Sequence, residues 1–425
     1  MNLLSLLAGL TRHDPHAIIA IDADPDQPQH VSRAELWRHT LQLRADLATA
    51  GVGRGDGVLV LLPASSSVLE WHVATASLGA HVVCADVDSS ADTLGDVLRR
   101  VRPKVVATPH LGPASTTLHE AVRHGEVHGG VVPTVAVVPA PGRTPPVDPS
   151  PYDVGAGAWL PSPPTVGMPM PEVRGDEVAV AFLPELAAHR ESALTRHAHA
   201  TAEALGLGED DVVLCTTPPS SPLWLSIALA AVSTGATCLL EARPTPRTVL
   251  ADVARFGVTH VATDAECAAA LAALAGTRDT PTWRWLGVAG RADAPEAHAE
   301  AVRLSEQAFG LPATALYTVP ELCPPVALWP SGAPERSRGH AGGRPVGSDV
   351  EFRIVHPETG AALPSGVLGE IQVRGTVVPD TWLDSPDAFS TRRTVDGWFC
   401  TGDSGSLDVE GTLRHTGRVV AASRD

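Results

Sequence analysis

From Val31 to about Pro109 short apolar runs alternate with stretches of helical spacing, and that alternation limits the chain more than any other feature. "VSRAELWRHTLQLRADLATAGV" places Leu36, Leu41, Leu43 and Leu47 on one helical face behind Ser32, a side chain suited to cap the helix. "GRGDGVLVLLP" reads as a turn and a buried strand, and "SSVLEWHVATASLGA" as a helix stopped by Gly79. "HVVCADV", "SADTLGDVLRRV" and "PKVVATP" continue as strand, helix and strand. Strands spaced by helices of about 10–15 residues pair in parallel, so a doubly wound α/β sheet is expected. The same rhythm resumes from "EVAVAFL" to "PATALYT" and predicts a second α/β unit.

Two stretches break the rhythm. Between Leu111 and Gly175 the chain is rich in Pro, Gly and Val, and "PAPGRTPPVDPSPYDVGAGAWLPSPP" lacks the donors for a regular ladder, so 139–175 is expected to be a linker. From about Gly342, "VEFRIVHPETGAALPSGVLGEIQVRGTVV" shows short alternating strands with Gly and Pro turns, the pattern of a small antiparallel β-barrel or sheet. The expected division is 1–175, 176–335 and 336–418, with 419–425 as the remnant of a hinge. "GVGRGDG" at Gly51 to Gly57 precedes a strand, not a helix, so it reads as a connecting turn and not a phosphate cradle.

Composition narrows the function classes. A net charge of -17 opposes attraction to nucleic acid or an anionic membrane. Six scattered cysteines without a C-x-x-C pair fit reduced thiols in a cytoplasmic protein. "MNLLSLLAGLTRHD" has no basic leader or cleavage pattern and is expected to form a first amphipathic helix. No run reaches the roughly 20 apolar residues of a membrane span. The chain has one lysine, Lys104, so any mechanism that needs a lysine has one candidate.

The run "DGWFCTGDSGSLDVEGTLRHTGRVV", Asp396 to Val420, resembles the signature of the adenylate-forming (AMP-binding) ligases, which include acyl-CoA synthetases and peptide-synthetase adenylation domains. "PKVVATP" and "GVLGEIQVRG" stand in the order that this resemblance requires, and it spans Val31 to Arg418. The resemblance implies the large domain of such a ligase, and a reaction of a carboxylic acid with ATP to an acyl-adenylate. It implies AMP or ATP and Mg as ligands, and a small C-terminal domain that would lie beyond this chain.

Residue by residue, the resemblance carries over unevenly. Asp403 matches the ribose-binding aspartate and Arg418 the arginine that assists it. "LYTVPEL" puts Tyr317 in the adenine-stacking position and Glu321 in the Mg-binding one, although Glu321 reads equally as a solvated carboxylate at a helix start. Thr318 replaces a glycine, and Pro320 replaces a threonine whose hydroxyl would meet phosphate. The phosphate loop falls, without gaps, on Pro184 to Ser192, with Glu185 and Ala188 at glycine positions and Glu191 at the lysine position. Side chains there obstruct the close approach of backbone to phosphate. Loss of one attraction at about 4 Å costs roughly 4 kcal/mol, which neighbouring Arg190 would offset in part.

In the acid pocket neither the aromatic-histidine pair of acyl ligases nor the aspartate of amino-acid-activating domains is present. Ser221, Trp224, Ala289 and Gly290 are the candidate pocket residues, and Trp224 also reads as core.

Three functions remain open. One is a ligase-like domain that binds an acyl or aryl acid or its adenylate but is impaired in ATP-dependent activation. Another is a working ligase in which Arg190, His189 or His197 replaces lysine and a small domain is supplied separately. The last is a pseudoenzyme scaffold that docks a carrier protein or partner enzyme.

Overall fold

The computed structural model describes residues 2–126, 132–171, 175–275 and 282–419. The alternation of helix and strand is present. Strands Gly57–Val60, His81–Cys84, Val105–Pro109 and Thr134–Val138 pair in parallel. Both faces of Gly57–Val60 and His81–Cys84 are buried, as in a sheet covered by helices on either side. Helix Arg33–Thr49 opens with a capping box: the Ser32 hydroxyl accepts the Glu35 N–H at 3.2 Å, and the Glu35 carboxylate accepts the Ser32 N–H at 2.8 Å. Leu36, Leu41, Leu43 and Leu47 on its inner face are buried.

The two α/β units exchange strands. The first sheet has eight strands, and Val178–Phe182, which follows the expected boundary at 175, pairs within it next to His81–Cys84. The second has seven, and Ile18–Ala23 from the amino end lies parallel to Thr237–Glu241. The division of the sequence at 175/176 is thus not a division between sheets. Runs that are apolar on both faces encode burial without naming a neighbour, so order along the chain does not settle which strand pairs with which.

Two further expectations are corrected. The stretch read as rich in Pro, Gly and Val contains helix Ala114–Glu126 and strand Thr134–Val138, and within the expected linker 139–175 Ala158–Trp159 pairs with Val135–Ala136 at the sheet edge. The third unit is an open six-stranded antiparallel sheet and not a closed barrel. Its outer strands, Ala327–Leu328 and Glu351–Val355, do not pair with each other. A two-residue edge strand is too short to supply the staggered ladder that closure requires. Of the expected hinge remnant, residues 420–425 lie outside the described residues. Among the described residues no helix is long and apolar enough to cross a membrane.

Candidate functional site: a cleft at four strand ends

Four neighbouring parallel strands of the second sheet, Val212–Cys215, His260–Asp264, Trp285–Ala289 and Ala313–Leu316, end at one cleft. Crevices beyond the carboxyl ends of parallel strands are where open α/β sheets bind ligands. The cleft measures 340 Å³ and is lined by Thr217, Ser221, Asp264, Ala289, Gly290 and Thr318, with Arg291, Glu266 and Pro320 beside them. Gly290 is required there: a Cβ would lie 2.1 Å from Nδ1 of His298, whose Nε2–H donates to the Val288 carbonyl at 2.8 Å. Ser221, Pro222 and Leu223 line the cleft as the first turn of helix Pro222–Thr234, and Ser221 makes no side-chain capping bond. The positive end of a helix dipole therefore meets the cleft. Trp224 does not line it. Its side chain is 1% exposed and belongs to the core, because one position further along the helix turns it inward.

The corner where the resemblance places ribose brings Asp403 and Arg418 together with Tyr317, the residue expected to stack on adenine. Tyr317 Oη donates to Asp403 Oδ2 at 2.9 Å, and Arg418 Nη1 lies 3.2 Å from Asp403 Oδ1. Burial holds the Asp403 carboxyl above its usual range, and Arg418 opposes that. Tyr317 is 1% exposed and Asp403 is 2% exposed. The Tyr317 ring packs 5.4 Å from that of His415, so no face of it is open for stacking as placed here. Sequence reading missed Arg392, which donates to the Cys400 and Thr401 carbonyls at 2.9 and 3.0 Å and lies 3.9 Å from Glu321. Its signal, "STRRT", is an ordinary basic pair.

The phosphate corner differs from the expected turn. Residues 184–191 do not form a strand-to-helix loop; Leu186, at φ 56°, closes a tight hairpin, and Ala187–Arg190 is a strand between Val178–Phe182 and Thr381–Trp382. Ala188 sits between Ala181 and Thr381 and is wholly buried. The next two amides are used as well: Glu191 N–H donates to the Glu177 carbonyl at 3.0 Å and Ser192 N–H to Asp176 Oδ1 at 3.0 Å.

The charges there are already engaged. Glu191, at the lysine position, is buried and accepts the Leu3 N–H at 2.8 Å, at the start of helix Leu3–His13. Arg190 pairs with Asp380 and donates to the Asp176 carbonyl. His189 donates through Nε2 to the Glu321 carbonyl at 3.0 Å and His197 to the Pro324 carbonyl at 3.2 Å. Burial pushes both imidazoles down to about 4, so they are neutral at pH 7. Glu185 is pushed up by burial and then by the Glu321 charge, which places these two carboxylates in one field. Two carboxylates are what Mg takes alongside phosphate oxygens, but no group of three metal-binding side chains exists among the described residues.

The geometry agrees with the comparisons. The model of the "AMP-binding enzyme" family matches residues 10–181 and 185–380. The chain is 28% identical over 403 residues to 4-coumarate–CoA ligase 2 of Oryza sativa subsp. japonica, covering 88% of this chain and 68% of the rice protein. A stretch of 78 residues is 42% identical to atromentin synthetase greA of Suillus grevillei, covering 18% of this chain and 8% of that protein. Among solved structures, ATP-bound MatB from Rhodopseudomonas palustris superposes with a TM-score of 0.78 at 21% identity, over 98% of this chain and 79% of its own. A long-chain-fatty-acid–CoA ligase from Archaeoglobus fulgidus gives 0.81 at 18% identity, over 99% and 84%. With the family model matching most of the chain, and the strand-end cleft and Asp403 signature in place, this chain belongs to the AMP-binding enzyme family, the adenylate-forming ligases.

Proposed function

We propose that this chain is an adenylate-forming ligase large domain that holds an acyl or aryl acid, or its adenylate, and is impaired in activating that acid with ATP by itself. The observation that carries the reading is the phosphate corner, where the 187–190 strand lies in two ladders and the Glu191 and Ser192 amides already have protein acceptors. A triphosphate needs free amides or cations, and neither Arg190 nor the two neutral histidines supplies one. The cleft suits an acid with a compact apolar body, its carboxylate toward the amino end of helix Pro222–Thr234 and toward Arg291. Among the cofactors that the family implies, AMP is the better fit and Mg the poorer. Glu321 and Glu185 would hold the metal, and no phosphate cradle faces them.

One observation favours a second reading, a non-catalytic scaffold for a carrier protein or partner enzyme. The Tyr317 hydroxyl occupies the carboxylate that ribose would use. Calorimetric titration of the chain with ATP, AMP and a non-hydrolysable acyl-adenylate separates the readings. AMP or adenylate binding with weak ATP binding supports the first, and silence to all three supports the second. Tight, Mg-dependent ATP binding, together with pyrophosphate exchange on an aryl or acyl acid, restores the working ligase.

A further inference from the structure

A larger cavity, of 410 Å³, lies away from the strand-end cleft and shares none of its residues. Its floor is formed by helices Arg33–Thr49 and Ser66–Ala76 and by strand Ile18–Ala23, and its roof by the proline-rich segments 138–145 and 160–164. The roof is fixed at both ends. Gly142 packs on Gln29, where a Cβ would come within 2.9 Å, and Arg143 reaches Asp24 at 3.7 Å. At the other end Ser162 N–H donates to Asp46 Oδ2 at 2.7 Å and Thr165 Oγ1 to Gln42 Oε1 at 2.8 Å. A space this large beneath a tethered roof is within the range of small-molecule sites.

The charges on its floor do not balance. His39 and Glu70 form one pair at 3.2 Å, and Glu70 holds the imidazole toward its charged form. Asp22 is 6% exposed and accepts from Ser66 N and Oγ, both at 2.6 Å, yet it forms no ion pair among the described residues. Burial, first, and Glu70 hold its carboxyl up at about 6, so at pH 7 it is a desolvated anion held by the Ser66 hydrogen bonds and the positive end of helix Ser66–Ala76, with no cation paired to it among the described residues. Trp71, Leu43 and Leu160 line the same space with apolar surface. The complement of a buried anion beside an indole is a cation with a hydrocarbon body.

We infer that this cavity is a second ligand site that takes a small organic amine, its ammonium between Asp22 and Glu70 and its apolar part against Trp71 and the proline roof. The probe is phenethylamine, titrated calorimetrically into the full chain at pH 7, with 3-phenylpropionate and phenethyl alcohol as the anionic and neutral counterparts. Saturable binding of the amine alone is expected, weakened about ten-fold or more by Asp22→Asn. Because Asp22 also accepts the first amide of helix Ser66–Ala76, Leu160→Trp serves as the second variant, filling the cavity from the roof without touching a charge. It is expected to abolish amine binding. No saturable binding at millimolar amine overturns the site, as does equal affinity for the anion or binding indifferent to both substitutions.

Discussion

The corners where the resemblance places ribose and phosphate differ from the implied pattern in different ways. At the ribose corner the side chains are kept and turned on one another: Asp403 holds Tyr317 on one oxygen and Arg418 near the other. At the phosphate corner the residue types have changed and the backbone has changed with them, from a loop that would offer amides to a hairpin strand that uses them. The first condition rests on one side-chain hydrogen bond, from Tyr317 Oη to Asp403. The second requires a different main-chain path, because amides committed to a ladder are not freed without breaking it. Under the proposed function, weak ATP binding would follow from the backbone of the 187–190 strand, and AMP binding would depend on the Tyr317 hydroxyl.

The strongest test of that contrast is Glu191→Lys, which restores the residue type that alignment calls for. Geometry predicts harm. The substitution removes the acceptor of the Leu3 N–H and buries a cation at the positive end of a helix, a loss of about 3–5 kcal/mol read as a lower melting temperature, with no gain in ATP affinity. A stable variant with tight ATP binding would break the comparison.

A pH series probes the buried histidines, two at that corner and others elsewhere in the fold. His72, His189, His197 and His415 have folded values near 4 against an ordinary 6.5, so through these groups the folded state binds fewer protons than the unfolded one. Stability is full above 6.5, falls as the pH drops toward 4, and levels off below that. Asp22, raised to about 6, and Glu241, raised to about 7, work in the opposite direction and offset part of the loss. The expected net effect is about 2–3 kcal/mol over the first pH unit below 6.5, measured by chemical denaturation. His189→Gln and His197→Gln together should flatten the slope.

At the ribose corner, Asp403→Ala is expected to weaken AMP by about 2 kcal/mol, roughly thirty-fold by calorimetry. An unchanged AMP affinity would favour the scaffold reading. The smallest effect is expected from Tyr317→Phe, which removes the hydroxyl that occupies Asp403 and should tighten AMP by about 1 kcal/mol. Weaker AMP binding in that variant would mean that the hydroxyl assists the nucleotide instead of competing with it.

Local features were legible in the amino-acid order because they depend on neighbours three or four residues away. The Ser32 cap and the buried face of Leu36, Leu41, Leu43 and Leu47 are of this kind. Trp224 was ambiguous because one helical position, about 100° of rotation, separates cleft from core. Arg392 was hidden because its partners, Glu321 and the Cys400 and Thr401 carbonyls, are assembled by the third sheet and not by a motif.

The sequence by itself determined the layered α/β architecture, the antiparallel third unit, the family, and the residue types at the ribose corner. Only the tertiary structure decided that Val178–Phe182 and Ile18–Ala23 change sheets, that Glu191 faces the first helix, and that Ala187–Arg190 is a strand. The reason is physical: hydrophobic period specifies which face of a segment is buried, whereas pairing partners and the fate of each amide depend on distances between residues far apart in the chain.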